Sequence, residues 1–359
     1  MKRGQCVCGN PVYFGNSECL ACGSVLGNCF VCGQESSFTR KSDGMLECDY
    51  HLCGAVVTPC SNSEYGICTW MVPIQDGIAT ECGWCKMTSL RPDLQFADHA
   101  KLWAKLERSK QRFLVSVKGM KLPPFSSDSR LNCPLTFQFP HDSVDERGQP
   151  IPAITGHSQG VVSIRLLEAD SVLRERTRVQ FQEPHRSLIG HFRHEYGHYL
   201  DWATWPMRDQ QESIDLFGDP HSQDYATSMH EYYQSGPSDN WEDRFVSPYA
   251  SMHPWEDFAE TVALYLDMNA ICSNAEWFGW KEFASETDSI EQIVNEAIRI
   301  SCFVSECNLD MGLSVLIPEV INAKVLEKLS YIHRLRKLPD ELSMVGVTEE
   351  LPENQSAVS

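Results

Sequence analysis

Apolar residues recur at helical spacing through much of the chain. The clearest stretch predicts a helix with one buried face, formed by Leu188, Ile189, Phe192, Tyr196 and Tyr199. Pro184 suits the first turn of such a helix, and Pro206 lies beyond its end. Further helices are predicted over residues 92–120, 168–180, 254–270, 290–298 and 318–335, with shorter helical pieces over 207–240.

Two short stretches alternate between apolar and polar residues, which predicts strands. The apolar positions are Leu135, Phe137 and Phe139 in the first stretch and Val162, Ile164 and Leu166 in the second. The second half of the chain is therefore predicted to be a mostly helical domain with a small sheet. The tyrosines and histidines of residues 207–240, Tyr225 among them, are better explained as an aromatic core than as the wall of a cleft.

The first 85 residues have a different pattern, dominated by cysteines in closely spaced pairs. Twelve of the sixteen cysteines of the chain lie there, beside glycines that suit the turns of zinc knuckles. They divide into three sets of four, each of which predicts a structural zinc site: Cys6, Cys8, Cys19 and Cys22; Cys29, Cys32, Cys48 and Cys53; and Cys60, Cys68, Cys82 and Cys85. Cross-braced pairing, or His51 in place of a cysteine, is also compatible with the spacing, and a disulfide-linked or reactive cluster is the alternative to zinc.

The remaining cysteines have no spacing typical of a metal site. They are predicted to be buried thiols: Cys133, Cys272, Cys302 and Cys307.

Charge and composition restrict the classes of partner and the compartment that we expect for the protein. The 359 residues include 30 basic and 49 acidic ones, for a net charge of −19, so nucleic acid and anionic membrane are unlikely partners. We expect no secretory signal after Met1 and no transmembrane span, since no sufficiently long apolar run is present. Paired cysteines in a chain without a signal favour metal binding in a reducing compartment, and we expect a cytoplasmic protein.

The candidate chemistry lies in the predicted helix around residue 194. His194 and His198 are one turn apart on the same face and can bind one Zn²⁺, while Glu195 between them can act as a general base on water. A metzincin site is excluded, because the positions of its glycine and third histidine are Asp201 and Thr204.

In the gluzincin pattern the third zinc ligand is a Glu on a later helix. Glu256 and Glu260 are i and i+4 on the predicted helix 254–270, so they face the same way. One of them can bind the zinc while the other holds a ligand histidine in its tautomer.

These two segments resemble the metal-site helices of lethal-factor-type zinc toxins, which have His-Glu-x-Gly-His followed by Ser-Tyr-Gly and Glu-Phe-Phe-Ala-Glu. The resemblance implies that Glu256 is the third ligand, that Glu260 holds a ligand histidine, and that Tyr249 stabilises the oxyanion. The Glu-x-x-x-Asp helix of thermolysin implies the same order of roles for Glu256 and Glu260.

His157, ahead of the second predicted strand, is favoured as a structural histidine over one that reaches the site.

A broader resemblance, to bacterial zinc-binding metallopeptidases with an amino-terminal zinc ribbon, covers most of the chain. It rests on residues 190–201, 239–250 and 253–260, with shorter matches at 68–70, 91–94, 155–157 and 329–333. It implies an α+β chain in which a zinc-ribbon module with four-cysteine sites precedes a mostly helical, zincin-like metallopeptidase domain.

The predicted boundaries are residues 1–90 for the ribbons, 91–129 for a connecting helix and linker, 130–345 for the peptidase domain and 346–359 for a disordered acidic tail. The predicted function is hydrolysis of peptide bonds in a peptide or protein substrate, with one catalytic and about three structural zinc ions. Two alternatives fit the same residues: a non-catalytic zinc-bound adaptor that binds a protein partner through its ribbons, and an amidase of non-peptide substrates.

Overall fold

The computed structural model describes residues 4–74, 80–126, 128–180, 186–280, 289–318 and 320–337. Within them the chain forms two compact units. One contains the described residues of 4–115, 137–153 and 165–175, and the other contains those of 116–136, 154–164 and 176–337. The predicted start at Pro184 and the predicted tail 346–359 lie outside the described residues.

The cysteine-rich segment is built on five short strands that close into a barrel. The strands are β1 (Val25–Cys29), β2 (Glu35–Arg40), β3 (Leu46–Cys48), β4 (Val56–Pro59) and β5 (Trp70–Pro73). Neighbours along the chain pair antiparallel, and β1 closes the barrel by pairing parallel with β5. Closure requires glycine at Gly27 of β1, because a Cβ there would lie 2.4 Å from the carbonyl oxygen of Thr69.

A long helix follows the barrel, and most of that helix lies in the same unit. The elements after β5 are α1 (Gly83–Lys86), β6 (Thr88–Leu90), α2 (His99–Gly119), β7 (Thr136–Gln138), β8 (Ser143–Val144) and β9 (Pro150–Ile151). Strands β6 and β7 pair parallel, and β8 and β9 form a short antiparallel pair. Trp103, Leu106, Phe113 and Leu114 of α2 are buried, as the amphipathic pattern predicts.

The other unit contains a hairpin and most of the helices. Its hairpin is β10 (Gly156–Ser158) with β11 (Val161–Ser163). The helices are α3 (Ser171–Gln180, which begins in the first unit), α4 (Leu188–Thr204), α5 (Gln210–Phe217), α6 (Tyr225–Ser235), α7 (Pro254–Trp277), α8 (Ile290–Asp310) and α9 (Ala323–Arg334). None of the described helices is both long and apolar enough to cross a membrane.

The α+β prediction is confirmed, whereas several element ends differ for local reasons. Helix α2 begins at His99 rather than near Pro92, because the Asp93 side chain accepts a hydrogen bond from the backbone N–H of Gln95 and stabilises a turn. Helix α3 begins at Ser171, where Asp170 accepts from the backbone N–H of Val172. Helices α7 and α8 continue well beyond their predicted ends.

One prediction about the isolated cysteines is wrong. Cys272 is buried, but Cys302 and Cys307 are exposed and Cys133 is half-buried. The exposed pair lies on the outer face of α8, which the shorter predicted helix did not include.

Candidate metal sites

Helix α4 places two imidazoles on one face. Ser187 caps the helix by accepting from the backbone N–H of Gly190, so the helix begins one turn before His191. The nitrogen Nε2 of His194 lies 3.2 Å from Nε2 of His198. The spacing predicted from sequence therefore brings both rings to one point.

Helix α7 brings a carboxylate to the same point. His253 caps it and Pro254 occupies its first position, so Glu256 lies in the first turn, where the helix dipole favours negative charge. The close approach of α4 to α7 depends on Gly197. A Cβ at this position would lie 2.5 Å from Cα of Ala259 on α7 and 2.8 Å from the carbonyl oxygen of Ala259. The glycine between the two histidines thus allows the backbones to come close enough for all three side chains to meet.

The three candidate ligands have the geometry of a zinc site. Glu256 Oε2 lies 3.0 Å from His194 Nε2, and Glu256 Oε1 lies 3.5 Å from His198 Nε2. Tetrahedral ligands at the usual Zn–N and Zn–O distances are about 3.3 Å apart. Glu256 Oε2 is buried and makes no hydrogen bond to the described residues, as expected of an oxygen that binds a metal. Two neutral imidazoles and one carboxylate are a common donor set for zinc.

Glu260 supports one of the histidines from behind. Its Oε1 accepts from His194 Nδ1 at 2.6 Å, which leaves Nε2 to face Glu256 and His198. Its Oε2 accepts from the Ser247 hydroxyl at 2.8 Å, and Ser247 in turn accepts from the backbone N–H of Ala250 at 3.1 Å. The carboxylate is therefore held at both oxygens.

The pKa values of the site residues are shifted in different directions. Burial raises the pKa of Glu195, and one of its oxygens has no hydrogen-bond partner within the described chain. For Glu256, burial opposes ionisation, but the neighbouring His198 and His194 outweigh it and hold the pKa well below the usual range. For His194, burial alone would lower the pKa, and the neighbouring carboxylates of Glu256 and Glu260 raise it well above normal.

Two tyrosines lie beside the candidate ligands. The Tyr249 ring is 6.0 Å from the His194 ring, and its buried hydroxyl makes no hydrogen bond to the described residues. The Tyr225 hydroxyl donates to Glu256 Oε1 at 2.8 Å. Tyr225 therefore belongs to the site rather than to the aromatic core that the sequence favours.

His157 has a structural role. Its Nε2 accepts from the backbone N–H of Gly160 at 3.0 Å, and its ring packs against Tyr199 and Trp202. Burial lowers the pKa of His157 to about 3, so the ring is neutral.

The structure brings the twelve clustered cysteines together in the three predicted sets. Sulfur–sulfur distances are 3.4 Å for Cys6 and Cys22, 3.8 Å for Cys29 and Cys53, and 3.8 Å for Cys60 and Cys85. Tetrahedral thiolates around zinc are about 3.8 Å apart, whereas a disulfide is about 2.05 Å long. The distances fit zinc, none of the sixteen cysteines, all of them in the described part of the chain, forms a disulfide, and His51 is not among the clustered groups.

The three cysteine sets differ in burial. In the first, Cys8 and Cys22 are exposed, and in the second, Cys32 and Cys53 are half-buried. The four cysteines of the third set are all buried. Gln111 of α2 lies next to this set, and its amide nitrogen is 3.5 Å from the sulfurs of both Cys68 and Cys85.

Three residues with a direct place in these sites were not predicted from the sequence: Tyr225, Ser247 and Gln111. Tyrosine, serine and glutamine are not zinc ligands in the spacings that mark such sites, so no ligand spacing indicates their roles, although Ser247 lies in a segment that carries the family resemblance. A hydroxyl or amide that supports a ligand depends on tertiary packing, and only the three-dimensional arrangement reveals it.

Comparisons with known proteins agree with both parts of the chain. Residues 99–335 match a family described as "Putative zinc-binding metallo-peptidase", and residues 4–96 match a zinc-ribbon domain. Uncharacterized proteins of Mycobacterium bovis and of two strains of Mycobacterium tuberculosis are 34% identical over 339 residues, which cover 91% of this chain and 92% of each relative. No solved structure gave a significant match. The descriptions of both matched domains name zinc as the metal that they bind. The chain therefore belongs to this metallo-peptidase family, with a zinc-ribbon domain in its amino-terminal part.

Proposed function

We propose that the protein is a zinc-dependent peptidase that hydrolyses peptide bonds in a peptide or protein substrate. The observation that carries the proposal is the convergence of His194, His198 and Glu256 next to the buried carboxylate of Glu195. These three residues are the proposed zinc ligands. A scaffold site needs no carboxylate with an unpartnered oxygen beside its ligands, so Glu195 favours an enzyme over an adaptor.

The proposed chemistry divides between the zinc and the side chains. Zinc held by His194, His198 and Glu256 would supply Lewis-acid chemistry, which would polarise the scissile carbonyl and lower the pKa of the attacking water. Glu195 accepts the proton of that water on its unpartnered Oε2 and then donates it to the nitrogen of the leaving amine. One carboxyl group thus acts as base and then as acid.

Two further residues have supporting roles in this proposal. Tyr249 has a buried hydroxyl without a hydrogen-bond acceptor in the described chain, and it donates to the negative charge that develops on the carbonyl oxygen. Glu260 fixes the tautomer of His194 through their 2.6 Å hydrogen bond. Glu260→Ala would weaken zinc binding by roughly 10–100-fold, whereas Glu256→Ala would remove that zinc.

The cysteine sets are the proposed ligands of three structural zinc ions. Their thiols are free, which fits a reducing compartment such as the cytoplasm. The ribbon module would bind a protein, as substrate or partner, rather than nucleic acid, because the chain has a net charge of −19.

The test is Glu195→Gln, which removes the proposed base and leaves the proposed ligands intact. Loss of a general base lowers the rate by about 10²–10⁴-fold. Terminal-peptide mass spectrometry of a cellular lysate should therefore show cleavages with the natural protein that are absent with Glu195→Gln. Glu276→Gln, the same change at an exposed position of α7, is the matched control and should cleave normally.

Zinc content must be equal in all three proteins for the comparison to be valid. Identical cleavage profiles for the natural protein and Glu195→Gln would rule out the peptidase. Turnover of a small amide substrate alone would then favour the amidase, and no turnover of either kind would favour the adaptor.

A further inference from the structure

The carboxylate of Glu256 has two oxygens in different surroundings. Oε1 accepts the 2.8 Å hydrogen bond from the Tyr225 hydroxyl. Oε2 is buried without a hydrogen bond to the described residues and faces His194 Nε2 at 3.0 Å. A carboxylate that is 1% exposed therefore has one oxygen held by the protein and one left for another partner.

Tyr225 is itself held by the start of the helix that carries Glu256. Its ring packs against His253 at 5.3 Å and Trp255 at 5.8 Å between ring centroids. His253 is the residue that caps α7, accepting from the backbone N–H of Trp255. The donor and the carboxylate are thus positioned by the same turn.

The backbone of Tyr225 is also fixed. It is the first residue of α6, and Asp224 caps that helix by accepting from the backbone N–H of Thr227 at 2.9 Å. Neighbouring aromatic rings and a capped helix end restrict the tyrosine to few orientations, so its hydroxyl is a preorganised donor.

We propose that Tyr225 is a positioning residue of the metal site, which binds Glu256 Oε1 so that Oε2 is the oxygen presented to zinc. This inference rests on the proposed ligand set. Metal-binding carboxylates are commonly oriented by such a hydrogen bond, and its loss typically lowers metal affinity by about 10–100-fold. Tyr225 and Tyr249 then have different roles, one in metal affinity and the other in turnover.

The test is Tyr225→Phe, measured by zinc content during titration with a chelator. The Glu256→Ala protein identifies which zinc equivalent belongs to this site, because only that equivalent should be lost. Tyr225→Phe should release the same equivalent at a roughly 10–100-fold lower chelator concentration than the natural protein. Phenylalanine preserves the ring packing against His253 and Trp255, so the change removes only the hydroxyl that binds Glu256.

Tyr265→Phe is the matched control. Tyr265 is a buried tyrosine of α7, the helix that carries Glu256, and its hydroxyl bonds to Nδ1 of His333 at 3.1 Å rather than to a candidate ligand. The control should lose stability without a change in zinc affinity. Tyr249→Phe should differ from Tyr225→Phe in zinc affinity, which should stay normal while turnover becomes slower.

The outcomes separate this inference from the proposed function. If Glu256→Ala keeps every zinc ion, the ligand set is wrong and the proposed function fails with it. If Glu256→Ala loses one zinc ion while Tyr225→Phe binds zinc normally, only the role of Tyr225 is overturned. Slower turnover of Tyr225→Phe at saturating zinc, with unchanged affinity, would also overturn it, because Tyr225 would then be a catalytic residue.

Discussion

Gln111 completes a set of hydrogen-bond donors around the buried cysteine cluster. Cys60 accepts from the backbone N–H of Cys82 at 3.2 Å, and Cys82 accepts from that of Cys85 at 3.4 Å. Cys68 accepts from Trp70, and Gln111 donates to Cys68 and Cys85. The amide nitrogen also lies 3.2 Å from Glu107 Oε1, which determines which end of the amide faces the sulfurs. A buried, negatively charged thiolate cluster needs such donors, so a side chain of α2 supports the third cysteine set.

Replacing Gln111 by Leu should weaken metal binding at this set. The change removes charge-assisted hydrogen bonds, each worth about 1.5–3 kcal/mol, from a site that water does not reach. We expect one structural zinc to be lost at a roughly 10–100-fold lower chelator concentration, as measured by metal content and by alkylation of Cys60, Cys68, Cys82 and Cys85.

Lys101→Leu makes a comparable change at an exposed position of α2 and should leave zinc binding unchanged. Normal metal retention in Gln111→Leu would show that the amide does not stabilise the cluster.

At the level of elements, the metal centre depends on the crossing of α4 and α7. Gly197 and Ala259 meet at that crossing, where there is no room for a methyl group on α4. A well-packed core that receives an extra methyl group is destabilised by about 1–3 kcal/mol. Here the strain falls between the helices that carry the candidate ligands, so it affects both stability and ligand geometry.

Gly197→Ala should therefore lower the melting temperature and also release the zinc of this site more readily. Calorimetry and metal analysis measure the two effects. Gly190→Ala is the control on the same helix, because its Cβ would meet only the Ser187 hydroxyl at 3.0 Å. Unchanged zinc affinity in Gly197→Ala would mean that the helices can separate without disturbing the site.

The sequence predicts the site residues that lie on one helix, but not the contacts that depend on how two helices pack. His194, Glu195 and His198 lie on one helix, so their spacing alone determines that they share a face. Glu256 required a second helix and was assigned through resemblance, since Glu260 has equivalent periodicity. Tyr225 could not be assigned, because its contact with Glu256 spans 31 residues and depends on how the start of α6 packs against α7. The five-stranded barrel was also not predicted, because its strands are only three to six residues long and two of them, β1 and β3, contain cysteines of the candidate zinc sets.

For the whole molecule, the three cysteine sets form a series of increasing burial. Exposed thiolates are accessible to chelators and alkylating reagents, whereas the buried third set is protected by the barrel and by α2. The chain as isolated should contain four zinc ions, one from each cysteine set and one from the histidine site. A content near one would contradict the structural zinc assignment.

Chelator should empty the cysteine sets in order from the first to the third. Isotope-coded alkylation followed by mass spectrometry should label Cys8 and Cys22 first, then Cys32 and Cys53, and the third set last. Without chelator, labelling of these twelve cysteines should be slow throughout, while Cys302 and Cys307 react at once because they are exposed. Simultaneous labelling of all three sets would mean that the segment unfolds cooperatively rather than losing its metals singly.

Closure of the small barrel also limits how another protein can bind the ribbon. Each of its five strands already has two neighbours, so the barrel offers no free strand edge. Extension of the sheet by an incoming strand is a common way to recruit an extended peptide, and it requires such an edge. A partner of the barrel must therefore recognise side chains, and Val31 and Leu52 are exposed on its loops, each between two of the candidate zinc-binding cysteines.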